Sequence, residues 1–230
     1  MKTIGLLGGM SWESTASYYK AINQEVKAQL GGLHSAKLAM LSVDFAEIER
    51  LQQQGDWQQA GGILAQAAQA VEAAGADFFL IGTNTMHKVA PQIEAAVSIP
   101  LLHIADATAA QLKADNITTV GLLGTRFTME QDFYRGRLTD NHGIEVRVPD
   151  EDARQLVHNI IYDELCQGQV SDSSRQAYVD IIAELAKQGA QAVILGCTEI
   201  ALLVNQADTS VPLYDTTAIH SAAAVSLALS

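Results

Sequence analysis

A cysteine that directly follows a buried apolar segment is the residue in this sequence best suited to chemistry. The run from Ala192 to Leu195 is apolar throughout and ends at Gly196, and Cys197 comes next. This pattern predicts a buried strand with the thiol at its carboxyl end, where open α/β sheets place ligand chemistry. A helix predicted from Thr198 onward would favour the thiolate, because the amino end of a helix carries unpaired N–H groups and a positive dipole. The pattern alone leaves open that Cys197 is a small buried core residue.

The segment around Cys197 has an earlier counterpart in the chain. Gly82 also ends an apolar strand pattern, and Thr83 then takes the place of Cys197. Residues 3–8 and 119–124 form a second pair of similar segments at almost the same spacing. Two pairs of similar segments, in the same order and at nearly the same spacing, predict two similar lobes. A site between these lobes would bring Thr83 towards Cys197.

Composition and charge limit the possible partners. The 230 residues carry a formal net charge of −12, which argues against nucleic acid, since its binding requires clustered Lys and Arg. The start of the chain leads into a short strand rather than a signal peptide, and no run reaches the roughly 18 apolar residues of a membrane span. Two cysteines, Cys166 and Cys197, do not suggest a disulfide framework, so we expect a cytoplasmic protein.

Strand and helix patterns alternate along the chain, which predicts an α/β fold of mainly parallel sheets with helices on both faces. We expect two pseudo-symmetric lobes, formed by residues 1–99 with 211–230 and by residues 100–210, with the C-terminal helix packing back on the first lobe. The predicted strands are 2–7, 37–43, 77–81, 101–104, 118–123, 144–148 and 192–196. The predicted helices are 11–30, one containing Gln52, 56–74, 86–96, 106–113, one ending near 140, 151–167, 173–188 and 218–229.

The glycine-rich turn after the first strand is Gly8-Gly9-Met10-Ser11. Its glycines do not fit the Gly-x-Gly-x-x-Gly pattern, so a dinucleotide site has weak support. Two glycines still permit close approach of the backbone to a ligand. Ser11 is suited to cap the following helix or to contact that ligand, and capping is the commoner role.

The chain contains four motifs at predicted strand ends, Gly8–Ser11, Gly82–His87, Gly124–Thr128 and Leu195–Ile200. Together they resemble the aspartate/glutamate racemases, a family that uses no pyridoxal phosphate. The resemblance covers almost the whole chain and implies two pseudo-symmetric α/β lobes with the active site in the cleft between them. It also implies a homodimer, an amino-acid substrate and a two-base mechanism, in which one lobe removes the α-proton and the other delivers a proton to the opposite face.

The resemblance implies that Cys197 is the base for the L-enantiomer and Thr83 its counterpart for the D-enantiomer. Typical members carry cysteine at both places, and a hydroxyl is a far weaker base than a thiol. Inversion of a carbon by proton transfer needs groups on both faces, and the carbanion must be stabilised by donors aimed at the carboxylate. Asn84, Thr85 and Thr198 are candidates for this role, although each is also suited to cap its helix.

Further polar residues are candidates for binding the substrate. Gln52 is a candidate for contacting the substrate side chain, with a solvated helix face as the alternative. Glu199 is suited to orient Cys197 or Thr198, or to complement a helix dipole. Glu164 belongs to another family-like segment, but its carboxylate is awkward for an acidic substrate. The remaining candidates are Met10, Ser11, Thr125 and Thr128.

Other residues are assigned no chemical role. We expect His87 and His103 to be hydrogen-bonded structural histidines and Cys166 to lie on a helix without function. No His, Cys, Asp or Glu cluster has metal-ligand spacing, so we expect no metal and no other cofactor.

Several functions remain open at this level. The leading hypothesis is a racemase acting on aspartate or glutamate. Rival reactions of the same superfamily are those of hydantoin racemases, maleate isomerases and arylmalonate decarboxylases. Threonine in place of a second site cysteine at position 83 would suit a decarboxylase with one site cysteine. From another class, the chain could be an amino-acid-binding module without turnover. Stabilisation by an amino acid without any exchange of its α-proton would point to the binding module.

Overall fold

The computed structural model describes residues 1–230, in which strands and helices alternate. The strands are β1 (Ile4–Gly8), β2 (Leu38–Ser42), β3 (Phe78–Ile81), β4 (Thr119–Gly124), β5 (Glu145–Arg147), β6 (Ala192–Gly196) and β7 (Leu213–Asp215). The helices are α1 (Trp12–Leu30), α2 (Phe45–Gln54), α3 (Trp57–Ala73), α4 (Ala90–Glu94), α5 (Ile104–Ala114), α6 (Arg126–Glu130), α7 (Asp132–Gly136), α8 (Glu151–Asp163), α9 (Asp172–Lys187), α10 (Ile200–Leu203) and α11 (Thr216–Leu229). Short 3₁₀ segments are Thr85–Val89, Leu165–Gln167 and Gln206–Asp208, and Arg137–Asn141 forms a π-helical turn.

The longer helices begin at capping side chains that the sequence supplies. Ser11 accepts from the backbone N–H of Ser14 at 3.3 Å and starts α1, which confirms its capping role. Asp150 caps α8 and Ser171 caps α9 in the same way. No helix in the chain combines the length and the apolar character that crossing a membrane requires.

The chain divides into two compact units, Met1–Ile104 with His220–Ser230, and Ala105–Ile219. The sheet of the first unit is parallel with strand order β2-β1-β3. Its central strand β1 is buried along its whole length, as expected for a parallel strand covered on both faces. Residues of α2, α3 and α4 form the core on one face, and α1 and the end of α11 form the core on the other. The end of the C-terminal helix α11 therefore packs in the same core as α1 and β1.

The sheet of the second unit is also parallel, with strand order β5-β4-β6-β7. Strand β6, which leads to Cys197, is fully buried and lies between β4 and β7. Residues of α8 and α9 pack against β4 and β6 in one apolar core. The predicted α/β class with parallel sheets is confirmed in both units.

The predicted internal repeat extends to the backbone. Gly75 and Gly189 precede equivalent strands, with φ angles of 90° and 98°. The N–H of Phe79 donates to the carbonyl of Pro100 at 3.0 Å, and Val193 donates to Pro212 in the same way at 2.8 Å. Ser98–Leu101 and Ser210–Leu213, which share the pattern Ser-x-Pro-Leu, therefore lie at the same place in the two sheets.

The structure differs from the predicted strand 101–104 and from the predicted boundaries. Only Leu101 forms a bridge, to Phe79, because Ile104 already begins α5. The units divide after Ile104 and Ile219, whereas the sequence predicted boundaries at 99 and 210. Leu101 pairs within the first unit, and β7 pairs with β6 of the second.

Three predicted helices are interrupted. The helix predicted over 86–96 is a 3₁₀ segment followed by α4, with Pro91 in the first turn of α4, where a missing N–H is tolerated. The helix predicted to end near 140 breaks at Gln131, whose backbone is extended. The helix predicted over 151–167 ends at Asp163, before the 3₁₀ segment that contains Cys166.

Candidate active site

Thr83 and Cys197 occupy equivalent turns of the two units. In the first unit, buried residues run from Phe78 to His87, and Thr83 is the one partly exposed position among them. In the second unit, the run from Ala192 to Ile200 is likewise interrupted only at Cys197. A partly exposed hydroxyl or thiol thus follows the carboxyl end of one strand in each sheet, β3 in the first unit and β6 in the second.

Glu199 contacts the thiol directly. The Cys197 thiol donates to Oε2 of Glu199 at 3.0 Å, and the Thr198 hydroxyl donates to the same oxygen at 2.7 Å. Glu199 is only 3% exposed. A buried carboxylate that accepts from a thiol is a built-in proton acceptor for it.

The environment of Cys197 opposes the thiolate that the sequence led us to expect. Burial raises the pKa of the Cys197 thiol well above its usual value, and the nearby Glu199 and Cys166 raise this pKa further. The helix that was to favour the thiolate begins only at Ile200 and spans four residues. The resting form is therefore the protonated thiol, and its activation requires a proton acceptor.

Cys166 lies close to this turn, which the sequence did not indicate. Cys166 and Cys197 both pack against the same apolar core, and both are partly exposed and unpaired by disulfide. Tyr178 is fully buried there and donates to the carbonyl of Val157 at 3.1 Å. Burial raises the pKa of Tyr178, and the charges of Cys197, Glu164 and Cys166 act in the same direction.

Glu164 is engaged at the start of α9. Its carboxylate accepts from the hydroxyl of Ser171 at 3.2 Å and from that of Ser174 at 2.7 and 2.8 Å. These bonds hold the capping residue of α9 in place. The carboxylate that seemed awkward for an acidic substrate is therefore occupied in a structural network.

Neighbouring loops hold the turn at Thr83. The hydroxyl of Ser14 donates to the carbonyl of Gly82 at 3.4 Å, which ties the first turn of α1 to the end of β3. The ring of His87 bonds through Nδ1 to the carbonyl of Thr83 at 2.8 Å. Sequence reasoning expected a bonded structural histidine here, but not that its partner would be Thr83.

The turn after β1 is closed by Thr15. The N–H of Gly9 donates to Oγ1 of Thr15 at 2.7 Å, and that hydroxyl donates to the carbonyl of Ser11 at 2.8 Å. The Met10 side chain is 3% exposed and belongs to the core of the first unit. Met10 therefore packs the core with its side chain and can offer a ligand only its backbone.

Gln52 is buried in the last turn of α2, not on a solvated face. Its Nε2 lies 3.1 Å from the sulfur of Met86, which follows the turn at Thr83. Asn84 and Thr85 are also buried, and Asn84 makes no side-chain capping bond to the segment that follows it. The capping alternative for Asn84 is therefore wrong.

Thr125 and Thr128 form the turn after β4. Thr125 caps α6 by accepting from the N–H of Thr128 at 3.4 Å, and the two hydroxyls are 3.3 Å apart. Both side chains are buried. Thr125 is therefore the cap of α6, and the Thr128 hydroxyl lies beside it in the same turn. Along the whole chain, no group of three or more His, Cys, Asp or Glu is arranged to hold a metal ion.

The parallel sheets with reactive side chains at equivalent strand ends define a duplicated α/β enzyme fold. The family model of the Asp/Glu/Hydantoin racemases matches residues 7–224. The chain belongs to this racemase family.

Known proteins are similar to this chain in sequence and in structure. A candidate Asp/Glu racemase from Yersinia pestis is 61% identical, with full coverage of both chains and a TM-score of 0.94. An aspartate racemase homologue from Pyrococcus horikoshii is 34% identical, again with full coverage of both chains, and has a TM-score of 0.87. The broad specificity amino-acid racemase RacX of Bacillus subtilis is 27% identical over 68% of this chain and 66% of its own length.

Proposed function

We propose that this protein racemises an acidic amino acid, aspartate or glutamate, by proton transfer without a cofactor. One observation carries the proposal: a thiol and a hydroxyl are the single partly exposed side chains at equivalent strand ends of a racemase-family chain. Inversion at the α-carbon requires one proton-transferring group for each face. Cys197 is assigned to the L-face and Thr83 to the D-face.

The first step of the proposed reaction activates the thiol. The proton of the Cys197 thiol moves to Oε2 of Glu199, 3.0 Å away, and the thiolate then removes the α-proton of the L-amino acid. The hydroxyl of Thr198 stays bonded to the same carboxyl oxygen and keeps it in position. Glu199 thus supplies the proton acceptor that the raised pKa of the Cys197 thiol makes necessary.

The second step delivers a proton to the opposite face. The Thr83 hydroxyl gives its proton to the carbanion, and partial exposure allows solvent to restore that proton. The α-proton stays on the Cys197 sulfur, and Glu199 releases its proton to solvent, so that the thiol, the carboxylate and the hydroxyl are all restored. The substrate carboxylate, where negative charge develops, is assigned to backbone N–H groups in the turns after Gly82 and Gly196, that of Thr198 among them, and to the side chains of Asn84 and Thr85. Ser11, Gln52, Thr125 and Thr128 are the remaining candidates for holding the substrate.

The test is incubation of the purified protein with L-aspartate or L-glutamate in D₂O. Proton NMR follows the α-proton, and chiral chromatography follows the D-enantiomer. We expect loss of the α-proton signal and formation of the D-form, both unaffected by a chelator or by hydroxylamine. Neutral amino acids such as L-alanine serve as the comparison for side-chain preference.

Three other outcomes would contradict the proposal in distinct ways. Exchange of neutral amino acids or hydantoins alone would place the activity elsewhere in the superfamily. Release of CO₂ from a malonate would indicate a decarboxylase. A raised melting temperature with aspartate, without any proton exchange, would indicate a binding module.

A further inference from the structure

The turn that carries Thr83 is 3₁₀ rather than α-helical, and this changes the partner of its carbonyl. The N–H of His87 donates to the carbonyl of Asn84 at 3.1 Å, whereas an α-helical turn would direct it to Thr83. The ring of His87 supplies the replacement, since its Nδ1 lies 2.8 Å from the Thr83 carbonyl oxygen. A side chain therefore holds this carbonyl where the backbone ladder does not.

The second ring nitrogen anchors the same histidine to α5. The N–H of Ile104 donates to Nε2 of His87 at 3.3 Å, and Ile104 is the first residue of that helix. The first N–H groups of a helix have no partner within it. A carbonyl only accepts and an N–H only donates, so the ring carries a single proton, on Nδ1.

The surroundings keep the ring of His87 neutral and fixed. His87 is 2% exposed, and its centroid lies 4.4 Å from that of His103 and 6.2 Å from that of His220. Burial lowers the pKa of His87 well below its usual value, and the two neighbouring histidines lower this pKa further. The ring is thus a rigid neutral bridge between the Thr83 turn and the start of α5.

The second unit has no such bridge. Alignment of Thr83 with Cys197 places Ala201 where His87 stands. There the support acts on the reactive side chain itself, through the bond from the thiol to Glu199. The two reactive turns are therefore supported by different means.

We propose that His87 is a positioning residue that fixes the backbone of Thr83 for proton transfer at the D-face. The inference rests on the proposed racemase function. A hydroxyl is a weak acid and a weak base, so its transfer step depends strongly on correct placement. Displacement of a reacting group by about 1 Å can cost on the order of 100-fold in rate.

Two substitutions of His87 each remove one of the two hydrogen bonds that its ring makes. The amide nitrogen of asparagine lies near the place of Nδ1, so His87→Asn keeps a donor for the Thr83 carbonyl and loses the bond from Ile104. The amide oxygen of glutamine lies near the place of Nε2, so His87→Gln keeps the acceptor for Ile104 and loses the bond to Thr83. Each variant removes one hydrogen bond at the same buried position, so each is the stability control of the other.

The assay uses the acidic L-amino acid that the wild type turns over, in D₂O. Loss of its α-proton requires Cys197, whereas formation of the D-enantiomer also requires Thr83. We expect His87→Asn to keep the ratio of D-enantiomer formed to α-proton lost within about twofold of wild type, and His87→Gln to lower this ratio about tenfold or more. Equal ratios in the two variants, with similar melting temperatures, would overturn the inference.

A second measurement works without activity. ¹⁵N NMR of histidine-labelled wild type reports which ring nitrogen of His87 carries the proton. We expect the Nδ1–H form at neutral pH, and the Nε2–H form would overturn the inference. A wild type that exchanges no amino acid would refute the proposed function, and the observed ring form then decides the bond between His87 and Thr83 by itself.

Discussion

The buried His220 makes the stability of the protein depend on pH. His220 has no exposed surface, its Nε2–H donates to the carbonyl of Leu102 at 2.8 Å, and its Nδ1 accepts from the Tyr18 hydroxyl at 2.9 Å. Burial lowers its pKa from 6.5 to about 4 in the folded protein. Between these two values, the unfolded chain binds a proton at His220 that the folded chain does not.

Because the unfolded chain binds this extra proton, the folded protein becomes less stable as the pH falls. Above pH 6.5 the group is neutral in both states and stability is complete; as the pH falls towards 4, the unfolded state is increasingly favoured. Each pKa unit corresponds to about 1.4 kcal/mol, so the full loss is about 3 kcal/mol, and about 2 kcal/mol of it falls between pH 7 and pH 5. His87 adds to this loss, because its pKa is lowered as well.

Urea unfolding of the wild type and His220→Asn at pH 7 and pH 5 measures the effect. Asparagine can still accept from Tyr18 but does not titrate, so we expect the loss of stability between the two pH values to be about 2 kcal/mol smaller in the variant. His34→Asn, at an exposed position, is the control and should behave as the wild type. Equal losses in wild type and His220→Asn would refute the reasoning, whatever the absolute stability of the variant.

Three further predictions concern the turns and the second unit. Thr83→Cys should raise kcat from the D-enantiomer, because a thiol is the stronger base. The value of kcat/KM must stay equal in the two directions, since the enantiomers have equal free energy. An unchanged or lower D-direction kcat would show that Thr83 is not a deficient base. Asp106→Asn should lower the free energy of unfolding, measured in urea at pH 7, by about 1 kcal/mol. The Asp106 carboxylate bonds Arg137 twice at 2.7 Å and His142 at 2.9 Å, but solvent partly screens these bonds. An unchanged free energy of unfolding would mean that screening cancels the bridge. Gly9→Ala should cost more than about 2 kcal/mol in thermal unfolding, because φ is 92° and the new Cβ would lie 2.6 Å from the nitrogen of Val43. Its control, Gly75→Ala, has φ of 90° but open space and should cost about 1 kcal/mol; equal costs would refute the crowding at Gly9.

The sequence predicts well the elements whose signals are local. The cap at Ser11, the buried strands before Gly82 and Gly196 and the internal repeat are all observed, because apolar runs, glycines and capping residues act on their own neighbourhood. The strand predicted over 101–104 does not form, since strand formation depends on neighbours elsewhere in the chain. There Leu101 makes a single bridge before α5 begins.

The sequence predicted that Thr83 and Cys197 follow strands, but not the electrostatics around the Cys197 thiol. A cysteine after a strand suggested a lowered pKa, yet α10 is too short to supply a dipole and Glu199 turns its carboxylate back to the thiol. Proximity of Cys166 to Cys197 arises from folding of separate segments, which no spacing in the sequence reports. The bond from His87 to the Thr83 carbonyl accompanies a 3₁₀ turn, where the sequence predicted an α-helix.

The central claim, that Cys197 is the base that removes the α-proton, is tested most directly by comparing Cys197→Ser with Cys166→Ser. Both variants exchange a partly buried thiol for a hydroxyl against the same core, so they share the structural effect of the change. The measurement is the rate of α-proton loss from L-aspartate and L-glutamate in D₂O. We predict a loss of at least about 100-fold in Cys197→Ser and a rate within about threefold of wild type in Cys166→Ser. Exchange near the wild-type rate in a folded Cys197→Ser protein would contradict the account.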